Sequence, residues 1–199
     1  MLVTGIKSKP VYAPLRADIG GRYHLMLGFQ GAAALLPVLD ELHACAPQSL
    51  AAARVLLVPE TPQVLEAFAA LGVGVTAFET RHALLDAFKR VLEESLMGTR
   101  LYVAGPESFI GLAMQLALQF DLNKDEIRAQ EMGTLARRVR CVHCRATAEE
   151  VRTNIVRCGG CARWLLVRDH YSRRLAAYMG VMVDAEVPGE LPAVQEIYL

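Results

Sequence analysis

Four cysteines carry the clearest chemistry in this 199-residue sequence: Cys141, Cys144, Cys158 and Cys161, written CVHC and CGGC. Thiolates are strong ligands for soft metals, and a Cys-x2-Cys spacing sets two sulfurs on one side of a tight turn. Two such knuckles facing each other complete a tetrahedral site. We expect one structural zinc, because four thiolates close its coordination sphere and leave no position open for a substrate. Iron in a rubredoxin-like site is the alternative, since tetrahedral thiolate also suits iron. The short gap between the pairs favours a zinc ribbon. Gly159 and Gly160 suit the second knuckle, where a Cβ would crowd amides that turn toward sulfur. His143, inside the first knuckle, is expected to lie partly exposed beside a metal that the thiolates already satisfy. Cys45 has no partner and is read as a buried apolar cysteine on a helix. The N-terminus, MLVTGIKSKP, has no apolar stretch after its lysines, so no signal peptide is evident. A metal site is therefore the better reading than disulfides, and a cytoplasmic protein is expected.

Something must hold the knuckles and fill the rest of the chain. Short apolar runs alternate with helix-like segments from residue 23 onward. HLMLGF (24–29), RVLLVPE (54–60), VGVTAFE (73–79) and RLYVAG (100–105) read as strands, with EIRAQEM (126–132) as a fifth, at an edge. Helical segments lie between them. Pro37 starts or bends the first, Thr61 and Pro62 open the second, and Leu84, Leu85, Phe88, Val91 and Leu92 form one face of the third. Strands apolar on both faces, separated by helices, predict an α/β fold: a parallel five-stranded Rossmann-like sheet with flanking helices. The small β zinc ribbon follows. The expected organisation is an extended lead-in over 1–22, the α/β domain over 23–134, and the ribbon with an acidic C-terminal tail over 135–199. Trp164 to Val167 are strand-like and are expected to cover the metal site.

Composition bounds the function. Hydrophobic residues make up 53% and charged residues 21%, enough for a packed core and too apolar for a disordered chain. Lys+Arg and Asp+Glu are both 21, which argues against a protein built to coat nucleic acid or an anionic membrane. The longest uncharged stretch, Tyr23 to Leu39, falls short of the ~20 apolar residues of a bilayer span. Charge is nevertheless segregated. Arginine crowds 134–174, and the tail from Val181 carries Asp184, Glu186, Glu190 and Glu196 with no base. Arg168, Asp169, Arg173, Arg174 and the tail EVPGELPAVQEIYL are read as a docking surface, the tail as an extended arm whose Ile197, Tyr198 and Leu199 need a partner to bury them; the alternative is that the tail packs back on its own ribbon or sheet.

The stretch LYVAGPESFIGLAMQLALQFDLNKDEIRAQEMG (101–133) resembles the end of the nucleotide-binding domain of the ferredoxin-reductase superfamily. Leu101–Ala104 look like its strand, Gly105 and Pro106 like its turn, and Ile127–Met132 like its edge strand. HLMLGFQGAAALLP resembles its first strand and glycine-rich turn. Gly28 and Gly31 remain there, but Phe29 replaces the second glycine, Ala34 stands at the proline, and Ala104 stands where the family has a cysteine. Glycines let backbone approach a pyrophosphate closely, and a Phe blocks that approach. With 22 residues ahead of the first strand, no flavin-binding barrel is expected upstream. The expectation is a reductase-like scaffold that has lost its cofactor role, with no catalytic or cofactor-binding residues of its own.

The run TNIVRCGGCARWLLVRDHYSRRLAAYMGVMVDAEVPGELP (153–192) resembles the DmmA-type subunit family of bacterial dimethylamine monooxygenase. The lead-in PVYAPLRAD and the strand–helix region are consistent with the same family. The resemblance implies an accessory or structural subunit of a multicomponent, NAD(P)H- and O2-dependent enzyme that demethylates dimethylamine to methylamine and formaldehyde. Flavin, iron–sulfur and oxygen-activating centres are expected on the partner subunits, the reductase and oxygenase chains. Two other readings compete: a freestanding nicotinamide-binding oxidoreductase, disfavoured by Phe29 and Ala34, and a zinc-ribbon protein that binds nucleic acid, disfavoured by the balanced charge.

Overall fold

Apolar runs bounded by turn residues become strands in the computed structural model of the chain, which describes residues 8–199. The first seven residues of the expected lead-in lie outside them. Residues 12–133 form one compact unit. Its strands are β1 (Tyr23–Phe29), β2 (Ala53–Val58), β3 (Gly74–Ala77), β4 (Thr99–Gly105) and β5 (Ile127–Glu131). Its helices are α1 (Leu36–Cys45), α2 (Pro47–Leu50), α3 (Pro62–Ala70), α4 (Arg81–Glu93) and α5 (Glu107–Gln119). All five strands run parallel in the order β3-β2-β1-β4-β5, the expected Rossmann-like sheet.

The register explains why the strands are apolar throughout. Met26 of β1 lies between Val55 of β2 and Tyr102 of β4, and all three face Leu35, Leu39 and Leu42 in one core layer. The next residues along each strand turn the other way. Leu25, Leu27, Leu101 and Val103 meet Leu84 and Phe88 of α4 and Phe109 and Ile110 of α5. Both faces are buried, so no polar alternation is left to see. β3 departs from this expectation: three of its four residues are exposed, as the outermost position of the sheet allows.

Helix starts follow local chemistry. The Thr80 hydroxyl accepts the Ala83 N–H at 3.2 Å and caps α4. Thr61 holds the cap position of α3 and Pro62 its first turn, but the Thr61 hydroxyl caps nothing. Pro37 lies at the start of α1 behind a 3-10 turn (Ala32–Leu35), where its missing N–H removes no helical bond. Residues 12–22, without regular structure, are strapped to the sheet. Leu15 is buried and its N–H donates to Gln130 Oε1 at 2.9 Å. The Ala17 N–H donates to Glu41 at 2.8 Å, and the Asp18 N–H to the Tyr102 hydroxyl at 2.9 Å.

Residues 8–11 and 134–199 form the second unit. Its strands are β6 (Arg137–Cys141), β7 (Thr147–Val151), β8 (Ile155–Arg157), β9 (Trp164–Ser172) and β10 (Ala177–Met182). They form one sheet in the order β7-β6-β10-β9-β8, in which only β6 and β10 run parallel. The arginine-rich segment before the knuckles supplies β6. Arg137, Val139 and Cys141 point inward while Arg138 and Arg140 lie half exposed, so a period of two was hidden under the charge.

The tail corrects an expectation. It is not a free arm at its end. The Ile197 and Tyr198 N–H groups both donate to the Arg152 carbonyl at 2.9 Å, and the Leu135 N–H donates to the Leu199 carbonyl at 2.9 Å. Tyr198 is buried with Val139, Val167, Tyr171 and Tyr178. Arg137, its side chain 8% exposed, is sandwiched between the Tyr178 and Tyr198 rings at 4.0 and 3.8 Å. It donates to the Tyr198 hydroxyl at 2.9 Å and to Asp169 at 2.6 Å. Burying an arginine demands this many partners, and the tail supplies two of them. Asp169 of the expected docking cluster is thus engaged internally. Among the described residues no helix is long and apolar enough to cross a membrane.

Candidate metal centre

Each cysteine pair is carried by a turn that the backbone builds in the same way twice. In the first knuckle the Arg145 N–H donates to the Cys141 carbonyl at 3.0 Å, and the Cys141 N–H to the Ala146 carbonyl at 2.9 Å. In the second the Ala162 N–H donates to the Cys158 carbonyl at 3.0 Å, and the Cys158 N–H to the Arg163 carbonyl at 2.9 Å. Arg145 and Ala162 hold the same left-handed position, at φ 64° and 59°. The first knuckle follows β6, and the second links β8 to β9. Residues 153–172 therefore bring one turn over the other.

All four sulfurs lie within 4.8 Å of one another. Cys141 Sγ is 3.8 Å from Cys161 Sγ, and Cys144 Sγ is 3.5 Å from Cys158 Sγ. These separations exceed the ~2.05 Å of a disulfide. They match the ~3.8 Å that separates sulfurs around a tetrahedral metal with bonds of ~2.3 Å. Cys141 and Cys158 are buried and pack against Leu165. Leu165 is the one member of the expected covering strand that packs there; Trp164 points to the other side of β9, as alternation requires.

The electrostatics of the cluster are uneven. The Arg163 backbone N–H and then its guanidinium bring the Cys161 thiol down to about 6. The Cys161 N–H holds Cys158 below the ordinary thiol range. The Ala146 N–H favours the Cys144 thiolate, but the thiols of its neighbours and burial outweigh it and push Cys144 up to about 11. Four thiols this close cannot all ionise without a compensating cation, a charge that a divalent metal would supply.

The surrounding predictions fare unequally. Gly160 is required, because a Cβ there would lie 2.9 Å from Cys144 Sγ; at Gly159 a Cβ would meet nothing within 4 Å. His143 is exposed, and its Nε2 accepts the Met182 N–H at 3.3 Å, so it braces the knuckle against the end of β10. Cys45 is exposed, not buried; it is the last residue of α1. Arg163 was overlooked in the sequence. A base two residues past a knuckle was the available signal.

In the first unit Phe29, the last residue of β1, packs on Phe109 with ring centroids 5.5 Å apart.

The chain matches the family described as dimethylamine monooxygenase subunit DmmA-like, through its N-terminal domain over residues 4–127 and its C-terminal domain over residues 138–181. It is 36% identical over 97 residues to the heme-dependent oxidative N-demethylase delta subunit of Ectopseudomonas mendocina (strain ymp). That match covers 49% of this chain and 55% of the relative, so it spans little more than half the relative's length. Among solved structures, the ferredoxin reductase in carbazole 1,9a-dioxygenase is 18% identical, covering 61% of this chain and 37% of that one with a TM-score of 0.45. Phthalate dioxygenase reductase is 13% identical, covering 67% of this chain and 45% of that one with a TM-score of 0.46. The two domain matches together take in both units of the chain, which belongs to the dimethylamine monooxygenase subunit DmmA-like family.

Proposed function

We propose that this chain is an accessory subunit of a multicomponent monooxygenase that demethylates a secondary amine, and that its four cysteines hold a structural zinc. The observation that carries the reading is a closed four-sulfur site in a member of a monooxygenase-subunit family. Tetrahedral thiolate coordination leaves a metal no position for substrate or oxygen, so the metal shapes the second unit and takes no part in turnover. The second unit has a small core, one cluster around Tyr178 and Tyr198 and another beside the sulfurs, and metal binding would add directly to its folding free energy.

The reaction of the assembled enzyme is then oxidation of dimethylamine by O2. One NAD(P)H and one proton are consumed, and methylamine, formaldehyde, water and NAD(P)+ are formed. A flavin and an iron–sulfur centre on a reductase chain would supply electrons, and an oxygen-activating centre on an oxygenase chain would use them. The relative's name describes a heme-dependent oxidative N-demethylase, which supports a heme in that last role. Partner chains hold these redox groups, and this chain contributes to assembly.

Co-expression of the tagged chain with its candidate partners, followed by metal, flavin and heme analysis of the purified complex, tests the reading. The complex should contain all components, with zinc retained when this chain is isolated. Recovery of the chain alone, or of a chain carrying flavin, would count against it.

A further inference from the structure

Past β10 the chain turns across the second sheet and is pinned at two places. The Val183 N–H donates to the Trp164 carbonyl at 3.0 Å. Asn154 fixes the chain again further on: its side-chain amide donates to the Ala193 carbonyl at 3.2 Å, and its Oδ1 accepts the Gln195 N–H at 2.7 Å. Residues 184–192 form a loop between these anchors, with ties of its own. The Gly189 N–H donates to Asp184 Oδ2 at 3.0 Å, and the Glu190 N–H to the Val187 carbonyl at 3.1 Å. Gly189 takes the left-handed region at φ 88°, where a residue without a Cβ is unstrained.

The loop does not close on the sheet beneath it. It stands over a groove of about 440 Å³. The floor is Leu166 of β9 and Val181 of β10, which pair across the strands on the face opposite Leu165. Both are only half-buried. The wall is Val187 and Leu191, 55% and 40% exposed. Apolar side chains thus line both sides of the groove without covering one another, and a contiguous apolar surface rimmed by charge is the anatomy of an interface. The rim is one-sided, with Asp184, Glu186 and Glu190 against Arg168. Among the described residues no cation pairs with the side chains of Glu186 and Glu190.

We propose that this groove docks a basic, apolar segment of a partner subunit, one that sets a lysine or arginine beside an apolar side chain. The apolar side chain fills the space over Leu166 and Val181, and the cation meets Glu186 and Glu190. Charge decides the occupant. A second copy docking groove to groove about a two-fold axis would set three carboxylates against three, which repel. The inference rests on the accessory-subunit reading and deepens it, naming the face and the chemistry by which the chain is held.

Biolayer interferometry of the full, zinc-loaded chain against the reductase and oxygenase chains, each in turn and from low to high sodium chloride, tests it. Wild-type binding to one of them should weaken as salt rises. The double variant Glu186→Lys, Glu190→Lys should lose at least about tenfold in affinity at low salt, together with most of the salt dependence, because rim charges act on encounter. The double variant Val187→Ser, Leu191→Ser should lose at least about tenfold while keeping the salt dependence, because it removes apolar surface alone. All four positions are exposed, so both variants should melt as the wild type does, and if one misfolds the other decides. Glu66→Lys, exposed on α3, should bind as the wild type does. Folded variants that bind as tightly as the wild type would overturn the groove and leave the accessory reading standing. A wild-type chain that binds neither partner would overturn both. A wild-type dimer in sedimentation that Glu186→Lys, Glu190→Lys dissociates would put a second copy in the groove and also defeat the proposal.

Discussion

Cys161, brought down to about 6 by Arg163, and Cys144, pushed up to about 11 among its neighbours, sit in one cluster of sulfurs. A divalent cation would reconcile them, and the consequence is measurable. Elemental analysis of the purified chain should find one zinc per chain. Cys141→Ser should lose the metal and unfold the second unit while the first keeps its helical signal, and a strong chelator should do the same to the wild type. Less than half a zinc, with no iron, in undamaged protein would falsify the metal assignment. His24 gives a second residue-scale test. It is buried on β1 with Nδ1 3.2 Å from the Tyr102 hydroxyl, and desolvation holds its pKa below the ordinary 6.5. Below 6.5 the unfolded chain therefore binds more protons than the folded one, so stability falls as pH drops from 6.5 toward the folded pKa. Replacing His24 with Gln should flatten the pH dependence of the melting temperature over that window; an unchanged slope would mean that other groups set it. The cysteines and their spacing were legible in the sequence because knuckles are local. Arg163 acts within the same turn and was readable in principle. The apolar floor of Leu166 and Val181 was not, because the two meet only after β9 has paired with β10.

Elements inherit their legibility from periodicity. β1, β2 and β4 and the face of α4 were readable because burial on both sides of a sheet, or along one helix stripe, leaves a plain apolar pattern. Phe88→Ala in that stripe should cost about 3–5 kcal/mol in denaturant unfolding, since the ring is fully buried between sheet and helix. A loss below about 1 kcal/mol would show that the α4 face is not packed as described. β6 was hidden because arginines alternate with its inward residues. The end of the tail was misread for a related reason. Ile197, Tyr198 and Leu199 look like apolar residues in search of a partner; Tyr198 finds it in Arg137, some 61 residues away in the chain, while Ile197 and Leu199 stay exposed. Deleting 195–199 strips Arg137 of one ring and one hydrogen bond. The second unit should then lose about 3 kcal/mol or more, seen as an early transition in thermal melting. An unchanged melting profile would leave the tail without a structural role.

At the scale of the whole molecule, the order of elements was legible: an α/β sheet first, then a cysteine-bearing β module. Strand–helix alternation and paired knuckles are both strong local patterns, and the matches to both domains of one family agree with that order. What an accessory subunit does is not written in any single residue, because assembly depends on surfaces that only a partner completes. The claim that the chain supports turnover without performing it has a direct test. The reductase and oxygenase chains, prepared without this subunit, are supplied with dimethylamine, O2 and NAD(P)H, and formaldehyde is measured per NAD(P)H oxidised. Adding the zinc-loaded chain should restore coupled formaldehyde release, whereas the Cys141→Ser chain should not. Full, coupled turnover in the absence of this chain would contradict the accessory role proposed for it.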